Sequence, residues 1–102
     1  MFDILNKLGS LKKKMEEIKN RLDTINIDEV SGNGKIKIII TANRKIKEII
    51  IDESLCAAGS KEELQELLET AMNRALEKAE QVNETEMKAA ANDLLPGFPG
   101  LT

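Results

Sequence analysis

The 102-residue chain has a formal net charge of −3, with 41% hydrophobic, 32% charged and 2% aromatic residues, a balance typical of one soluble globular domain. It has no histidine and one cysteine, Cys56, which removes the commonest general base and zinc ligand and excludes an internal disulfide framework. No apolar run approaches the ~20 residues of a membrane span, and residues 2–15 lack the apolar core of a signal peptide. These features argue against an enzyme, a membrane protein and a secreted protein, and they predict a cytoplasmic location.

The charge is unevenly distributed along the chain. Residues 1–26 and residues 27–51 each have a net charge of +2, whereas residues 52–102 have a net charge of −7. The overall acidity therefore comes entirely from the C-terminal half.

The first predicted element is an amphipathic helix over residues 2–26. Its apolar residues recur at alternating spacings of four and three, the period of a coiled-coil seam, at Ile4, Leu8, Leu11, Met15, Ile18, Leu22 and Ile25. The charged positions that flank this seam are all basic: Lys7, Lys12, Lys14, Lys19 and Arg21. Like charges beside a seam disfavour the parallel pairing of two copies of this helix through it. The simpler interpretation is therefore that the seam packs against the rest of the same fold, with the aliphatic stems of the lysines beside it.

A three-stranded antiparallel sheet is predicted over residues 27–52. A short strand at residues 26–31 precedes Gly32-Asn33-Gly34, which is interpreted as a turn because it lacks the helix and the Lys-Ser/Thr pair of a phosphate loop. A hairpin rich in β-branched isoleucine follows over residues 34–52. Its connection contains Asn43-Arg44 rather than the favoured Asn-Gly, so a loop longer than two residues is predicted.

Both faces of this hairpin are partly apolar, because Ile39 lies on the lysine side of its strand and Ile50 lies opposite Ile49 and Ile51. Such a sheet needs cover on both faces, and one chain of this size is not expected to supply it. The pattern therefore predicts a homodimer formed through the sheet, with these candidate residues: Ile36, Ile38, Ile39, Ile40, Ile49, Ile50 and Ile51.

A connector over residues 52–59 is predicted to contain one helical turn around Leu55, with Cys56 as a small packed residue. Ser60 and Glu63 match a capping box that opens a long helix over residues 60–92. Its apolar band contains alanines that permit close approach, and its glutamates form a solvated opposite face. The tail, residues 93–102, holds two prolines and two glycines, and is interpreted as an extended segment, either loose or docked through Leu95 and Phe98.

The order of helix, three strands, long helix and Pro-Gly-Phe tail resembles the YbaB/EbfC family of bacterial nucleoid-associated proteins. The likeness is carried by the lysine-rich first helix together with Val30-Ser-Gly-Asn-Gly34, Ile49-Ile-Ile-Asp-Glu-Ser-Leu55, Ala71-Met-Asn-Arg-Ala75 with Lys78, Met87 and Leu95-Pro-Gly-Phe98. Two turns depart from the family pattern, since Glu53 stands where proline is usual and Asn43-Arg44 where Asn-Gly is frequent.

The resemblance implies a homodimer whose sheets associate while the long helices project as arms. It implies non-specific or weakly specific binding of double-stranded DNA, a location in the nucleoid, and effects on nucleoid organisation and gene expression. It also implies no catalysis, no cofactor and no small-molecule substrate.

DNA binding has to be reconciled with the negative net charge, because affinity for duplex DNA comes chiefly from Lys and Arg that neutralise phosphates. The candidate contacts are the flanks of the first helix and two cations of the long helix: Lys7, Lys12, Lys13, Lys14, Lys19, Arg21, Arg74 and Lys78. The alternative hypothesis is a structural module whose helical arms clasp a protein partner. No sequence cluster has the spacing of zinc ligands, so no metal is predicted.

Overall fold

The computed structural model describes residues 2–94 of the chain. The elements are α1 (Phe2–Leu22), β1 (Asn26–Ser31), β2 (Ile36–Thr41), β3 (Ile46–Ile51), a 3₁₀ turn (Glu53–Cys56) and α2 (Lys61–Leu94). The strands form one antiparallel sheet in the order β1-β2-β3, which confirms the predicted α+β architecture. The predictions for the tail, including Leu95 and Phe98, fall outside the described residues.

Helix α1 ends four residues earlier than predicted, at Leu22 rather than at residue 26. The Thr24 hydroxyl donates to the Arg21 carbonyl at 2.6 Å, and the Thr24 backbone N–H bonds the same carbonyl at 3.0 Å. Threonine side chains compete in this way with continued helical hydrogen bonding. Ile25, the last residue of the predicted seam, therefore lies in the connection to β1, where it packs against the core.

Helix α2 covers one face of β1 and β2, and the core lies between them. Ile36, Ile38 and Ile40 of β2 point into this layer and are 0–2% exposed. They meet three alanines of α2 that are fully buried, Ala71, Ala75 and Ala79. A methyl side chain lets the helix axis approach the sheet closely, as the sequence predicted, while the glutamate face of α2 remains exposed.

The turn between β1 and β2 fastens the sheet to α2. The buried Ser31 hydroxyl donates to the Leu67 carbonyl at 2.6 Å. Gly32 adopts a φ of +60°, and a Cβ placed there would lie 2.5 Å from Leu67 Cδ1, so both the backbone and the space at this position suit glycine. The Gly-Asn-Gly stretch therefore has a packing role, which agrees with its interpretation as a turn.

The hairpin between β2 and β3 is closed by a loop of four residues, Ala42 to Lys45. The Arg44 N–H bonds the Thr41 carbonyl at 2.9 Å, and the Thr41 N–H bonds the Lys45 carbonyl at 2.8 Å. Arg44 has a φ of +65°, the left-handed conformation that glycine usually supplies in such loops. The prediction of a loop longer than two residues is confirmed.

Two local predictions about the connector are wrong. Cys56 is exposed rather than packed, because the 3₁₀ turn directs Leu55 into the core in its place. Ser60 does precede α2, but its hydroxyl donates to the Ser54 carbonyl at 3.2 Å, while the Glu63 carboxylate lies 3.4 Å from Lys35 Nζ. Both side chains of the expected capping box are thus engaged in other contacts, a local one for Ser60 and a long-range one for Glu63.

Strand β3 is an edge strand that α2 does not cover. All six of its residues are exposed, although Ile49 and Ile51 pair with the buried Ile38 and Ile36 across the sheet. The seven dimer candidates therefore divide into two groups. Ile36, Ile38 and Ile40 belong to the core of the chain itself, Ile39 is half-buried on the opposite face, and only Ile49, Ile50 and Ile51 present exposed apolar surface.

Candidate nucleic-acid interface

The C-terminal half of α1 packs against the last three turns of α2. Arg21 of α1 forms an ion pair with Glu86 of α2, and Ile18 and Leu22 are buried against this part of the fold together with Ala90. The seam of α1 thereby faces α2 and divides the basic side chains of α1 between two flanks.

One flank lines a groove of about 620 Å³ between α1, the β2–β3 loop and α2, which we call the hairpin-side groove. Lys12 and Lys19 of α1 and Lys45 of the hairpin lie around it, with Glu16 as the acidic side chain of its lining. Its floor is apolar or amide in character, formed by Met15, Ile18, Leu22, Asn43, Asn83 and Met87. Three lysines from two elements thus line one concave surface.

A hydrogen-bond network fixes the hairpin loop against the end of α1. The Asn43 side-chain amide donates to the Lys19 carbonyl and to the Asp23 carboxylate, each at 2.7 Å. Lys45 Nζ lies 3.4 Å from the same carboxylate. The hydrogen bond from Asn43, and then the charge of Lys45, lower the pKa of Asp23 below its ordinary value of 3.8. This network sets where Lys45 stands relative to Lys19.

Replacing Asn43 by alanine is expected to raise the pKa of Asp23 toward its ordinary value, because the largest cause of its lowering is removed. With a folded-state pKa below the unfolded one, the Asp23 carboxylate stabilises the fold above the unfolded pKa, and this stabilisation is lost as pH falls through the folded pKa. Asn43→Ala should therefore weaken the pH dependence of stability in acid.

A carboxyl NMR titration measures this shift, and Asp52 is an internal control. The pKa of Asp52 is also lowered, but by hydrogen bonds from Ser54 at the other end of the sheet, so it should stay low in Asn43→Ala. An unchanged Asp23 pKa, or equal shifts at both carboxyls, would contradict the assignment.

The opposite flank of α1 is more nearly neutralised. Lys14 and Arg21 border a small cleft with Glu17 and Asp93, and Arg21 is paired with Glu86. Two cations here face three carboxylates, whereas around the hairpin-side groove three lysines face two carboxylates, Glu16 and the Asp23 that contacts Lys45. Positive potential is therefore concentrated on the hairpin side.

The structure thus brings only part of the predicted basic set together. Lys12 and Lys19 share the hairpin-side groove, Lys14 and Arg21 lie on the opposite flank, and Lys7 lies further along the exposed part of α1, while Lys13 is exposed. On α2, Arg74 is exposed and Lys78 forms an ion pair with Glu29 of β1. Lys78 lies eight residues before Glu86, about 12 Å along the helix axis. These two cations do not join either flank of α1.

The sequence analysis missed Lys45 and the neighbouring exposed Arg44. The sequence shows both as charged residues of a hairpin loop, a common place for solvated side chains. Only the docking of that loop beside Lys19, through Asn43, brings Lys45 into the lining of the hairpin-side groove.

The chemistry of the groove suits an extended polyanion. Lysine ammonium groups on flexible stems neutralise phosphates as point charges, and none of the described residues that line the groove has an aromatic side chain on which a base could stack. Among the described residues, no three His, Cys, Asp or Glu side chains are grouped as a metal site requires. Between residues 2 and 94, no helix is both long and apolar enough to cross a membrane.

Comparison with known proteins places these features in a family context. The model of the YbaB/EbfC DNA-binding family matches residues 1–94. A nucleoid-associated protein of Flavobacterium johnsoniae is 45% identical over 102 residues, covering 97% of this chain and 94% of that protein. One from Rickettsia akari is 33% identical over 96 residues, covering 92% and 90%. The crystal structure of an uncharacterized Helicobacter pylori protein shares the fold, with a TM-score of 0.67, 22% identity, and coverage of 76% of this chain and 90% of that one.

Proposed function

Because this chain belongs to the YbaB/EbfC DNA-binding family, we propose that it is a nucleoid protein that binds duplex DNA through the hairpin-side groove. The observation that carries the proposal is that Lys12, Lys19 and Lys45 line one concave surface. These side chains contact phosphates, with Arg44 beside them, and read few or no base edges. The binding is therefore non-specific or weakly specific, and it affects nucleoid organisation and gene expression.

A net charge of −3 does not oppose this mode of binding, because the lysines of the groove and the glutamates of α2 lie on different parts of the surface. The glutamates of α2 lie on the exposed face turned away from its apolar band. At the roughly 8 Å Debye length of physiological salt, an approaching phosphate senses chiefly the local lysines. The acidic face orients the protein by repelling DNA from the wrong side.

We further propose that the protein acts as a homodimer joined through β3. This edge strand has unpaired backbone groups along one side and exposes Ile49, Ile50 and Ile51. Natural proteins usually protect such edges with charge, proline or a covering element. A second copy would cover the isoleucines and would present a second hairpin-side groove, doubling the number of lysines that face phosphates.

The dimer is expected to dissociate when Ile49 and Ile51 are both changed to lysine. Two buried charges on each side of the interface would be desolvated without partners. Sedimentation equilibrium at micromolar concentration should then give a monomer of 11.3 kDa for the variant and twice that mass for the parent chain. Val30→Lys, at an exposed position on the far edge strand β1, is the matched control. Dissociation by Val30→Lys alone would place the interface elsewhere on the sheet, and a monomeric parent would refute the dimer.

Binding to unrelated duplexes of equal length is expected to be similar in strength and steeply dependent on salt. Log K should fall with log salt at a slope of about −0.9 for each phosphate neutralised, so two or three cations in each subunit give roughly −4 to −5. A gel-shift series across salt concentrations measures the slope, with an acidic protein of equal net charge as the control. If the chain is not retained on DNA even at low salt, the function as a clasp for a protein partner replaces DNA binding.

A further inference from the structure

The floor of the hairpin-side groove has a property that phosphate binding does not require. Four apolar side chains contribute to it: Met15, Ile18, Leu22 and Met87. Ile18 and Leu22 are buried at its base, whereas Met15 is 40% exposed and Met87 is half-buried. Phosphate oxygens neutralise the lysines of the rim, but they give the two methionines no apolar surface to pack against. The floor therefore indicates a second kind of ligand.

The size and lining of the groove suit a small amphiphilic molecule. Its volume of about 620 Å³ lies within the roughly 300–1,000 Å³ of typical ligand sites, which combine a mostly apolar lining with a few polar groups. Methionine side chains are unbranched and polarizable, so they adapt to irregular shapes. Such a floor suits a flexible alkyl chain, which needs contact area rather than a fixed outline.

The charge of the rim favours a ligand with one negative charge. Among the described residues, Lys12, Lys19 and Lys45 line the groove with Glu16, and the Asp23 carboxylate contacts Lys45. Three positive and two negative side chains leave a net charge of +1. One carboxylate neutralises this charge, whereas a phosphate monoester, with a charge of about −1.5 to −2, would leave a negative excess in the groove.

We propose that the hairpin-side groove binds a free fatty acid anion of medium or long chain. The carboxylate lies at the end where Lys19 and Lys45 line the groove from two different elements, and the alkyl chain covers Met15 and Met87. The hydrogen bond from the Asn43 amide to the Lys19 carbonyl, at 2.7 Å, holds the hairpin loop at this end. The ligand thus uses both the charge of the rim and the apolar area of the floor.

A fatty acid in the groove would compete with DNA, since its carboxylate uses lysines that the proposed function assigns to phosphates. This consequence rests on the proposed function, but the binding of the fatty acid does not, and the titrations that test it contain no DNA. A free molecule is proposed rather than a membrane because the site is a concavity between α1, the hairpin loop and α2. A single alkyl chain can enter such a concavity, whereas the surface of a bilayer cannot.

The methionine methyl groups report on the site directly in NMR spectra. Titration of decanoate into the full-length chain, with ¹³C-labelled methionine methyls, should move the Met15 and Met87 signals in a saturable way. Met72 is the internal control, because it packs against the core and does not line the groove. Shifts that are absent at Met15 and Met87, or equally large at Met72, would overturn the proposal.

Affinity should rise with the length of the alkyl chain. Each further methylene buried on the floor tightens binding by about twofold to fourfold, so dodecanoate should bind about 16-fold to 250-fold more tightly than octanoate. An alkyl chain that remained in solvent would give no such series. Affinities that do not depend on chain length would therefore refute the proposal.

Decyltrimethylammonium, which has a ten-carbon chain and a positive head group, is the control for general binding of amphiphiles. The net charge of −3 would favour this cation if binding were non-specific. The groove should instead favour decanoate by about tenfold or more. Equal or tighter binding of the cation would contradict the site.

Removing the lysines at the head-group end should weaken decanoate binding by about tenfold. The variant is Lys19→Gln with Lys45→Gln, and both positions are exposed, so the fold should be retained. Lys7→Gln with Lys14→Gln is the matched control, since it makes the same change of net charge and neither lysine lines the groove. Equal losses in the two variants would mean that general electrostatics governs binding, and would overturn the proposal.

A change of the floor separates the groove from other exposed apolar positions on α1. Met15→Gln should weaken decanoate binding, whereas Leu11→Gln should not, because Leu11 is 45% exposed but lies outside the lining of this groove. Equal effects of the two changes would refute the site. Vesicles that contain an anionic lipid are the last probe. Binding to such vesicles without saturable binding of monomeric decanoate would assign this surface to a membrane and overturn the proposal.

Discussion

A chain that carries Lys12→Glu and Lys19→Glu is expected to bind duplex DNA about a hundredfold more weakly, or worse, at low salt. Both side chains line the hairpin-side groove, so a dimer would have four fewer cations facing phosphates and would gain repulsion. The salt slope should become shallower by about 0.9 for each phosphate that is no longer neutralised, or roughly 3.6 for the dimer. Because both lysines are exposed, the fold should be retained, which circular dichroism and the unfolding midpoint can check.

The matched control for this prediction is the pair Lys7→Glu and Lys14→Glu. It lies on the same helix with the same seven-residue spacing and the same change of net charge, but Lys14 borders the opposite flank, where carboxylates outnumber cations. Its effect on affinity and on the salt slope should be clearly smaller. If the Lys7 and Lys14 pair weakens binding as much or more, the DNA site is not the hairpin-side groove and general electrostatics governs binding.

Replacing Ile38 by alanine is expected to lower the free energy of unfolding by about 2–5 kcal/mol, the range observed for such truncations in well-packed cores. Ile38 is fully buried at the centre of β2, between the alanine face of α2 and the neighbouring strands. The stiff α2 backbone is already in close approach, so the cavity has little opportunity to collapse. Against a total stability of roughly 5–15 kcal/mol for a small domain, this loss is large.

Ile46→Ala is the corresponding control, because Ile46 is 52% exposed at the loop end of β3. The same three carbon atoms are removed, but little transfer free energy and no cavity are involved, so the loss should stay below about 1 kcal/mol. Urea unfolding of both variants at one fixed protein concentration measures the difference. Equal losses at the two positions would mean that β3 is buried to the same extent as β2 in solution.

Element type was accessible from sequence because it rests on local periodicity. The alternation around Ile36, Ile38 and Ile40 is a property of a pleated strand, and the heptad spacing of α1 is a property of one helix face. The alanines at 71, 75 and 79 likewise indicated a close helix contact, since side-chain volume sets the distance of approach. The turn at Gly32 and the longer loop at Asn43-Arg44 were predictable for the same reason.

Only the tertiary structure decided which apolar residues are buried, which remain exposed, and which partners the polar side chains contact. The isoleucine pattern showed that both faces of the sheet are apolar, but only the placement of α2 over β1 and β2 separates the buried Ile38 from the exposed Ile49. The expected capping box at Ser60 was replaced by contacts with Ser54 and Lys35, and Leu55 took the core position expected for Cys56. Lys35 is distant from Glu63 in sequence, and the choice between the neighbours Leu55 and Cys56 depends on how the 3₁₀ turn docks on the core, so neither outcome has a local signature.

The sequence by itself determined two helices, a three-stranded sheet, a lysine-rich first helix and an acidic second one, because these follow from side-chain type at fixed periods. The tertiary structure alone decided that α1 docks antiparallel on the end of α2, which divides its lysines into two flanks and places the hairpin loop with Lys45 beside one of them. It also decided that the C-terminal half of the α1 seam is buried, at Ile18 and Leu22, while its N-terminal half is exposed, from Ile4 to Met15. The physical reason is that charge and apolar area acquire a function only through what lies next to them in space, and packing brings together residues that the sequence keeps far apart.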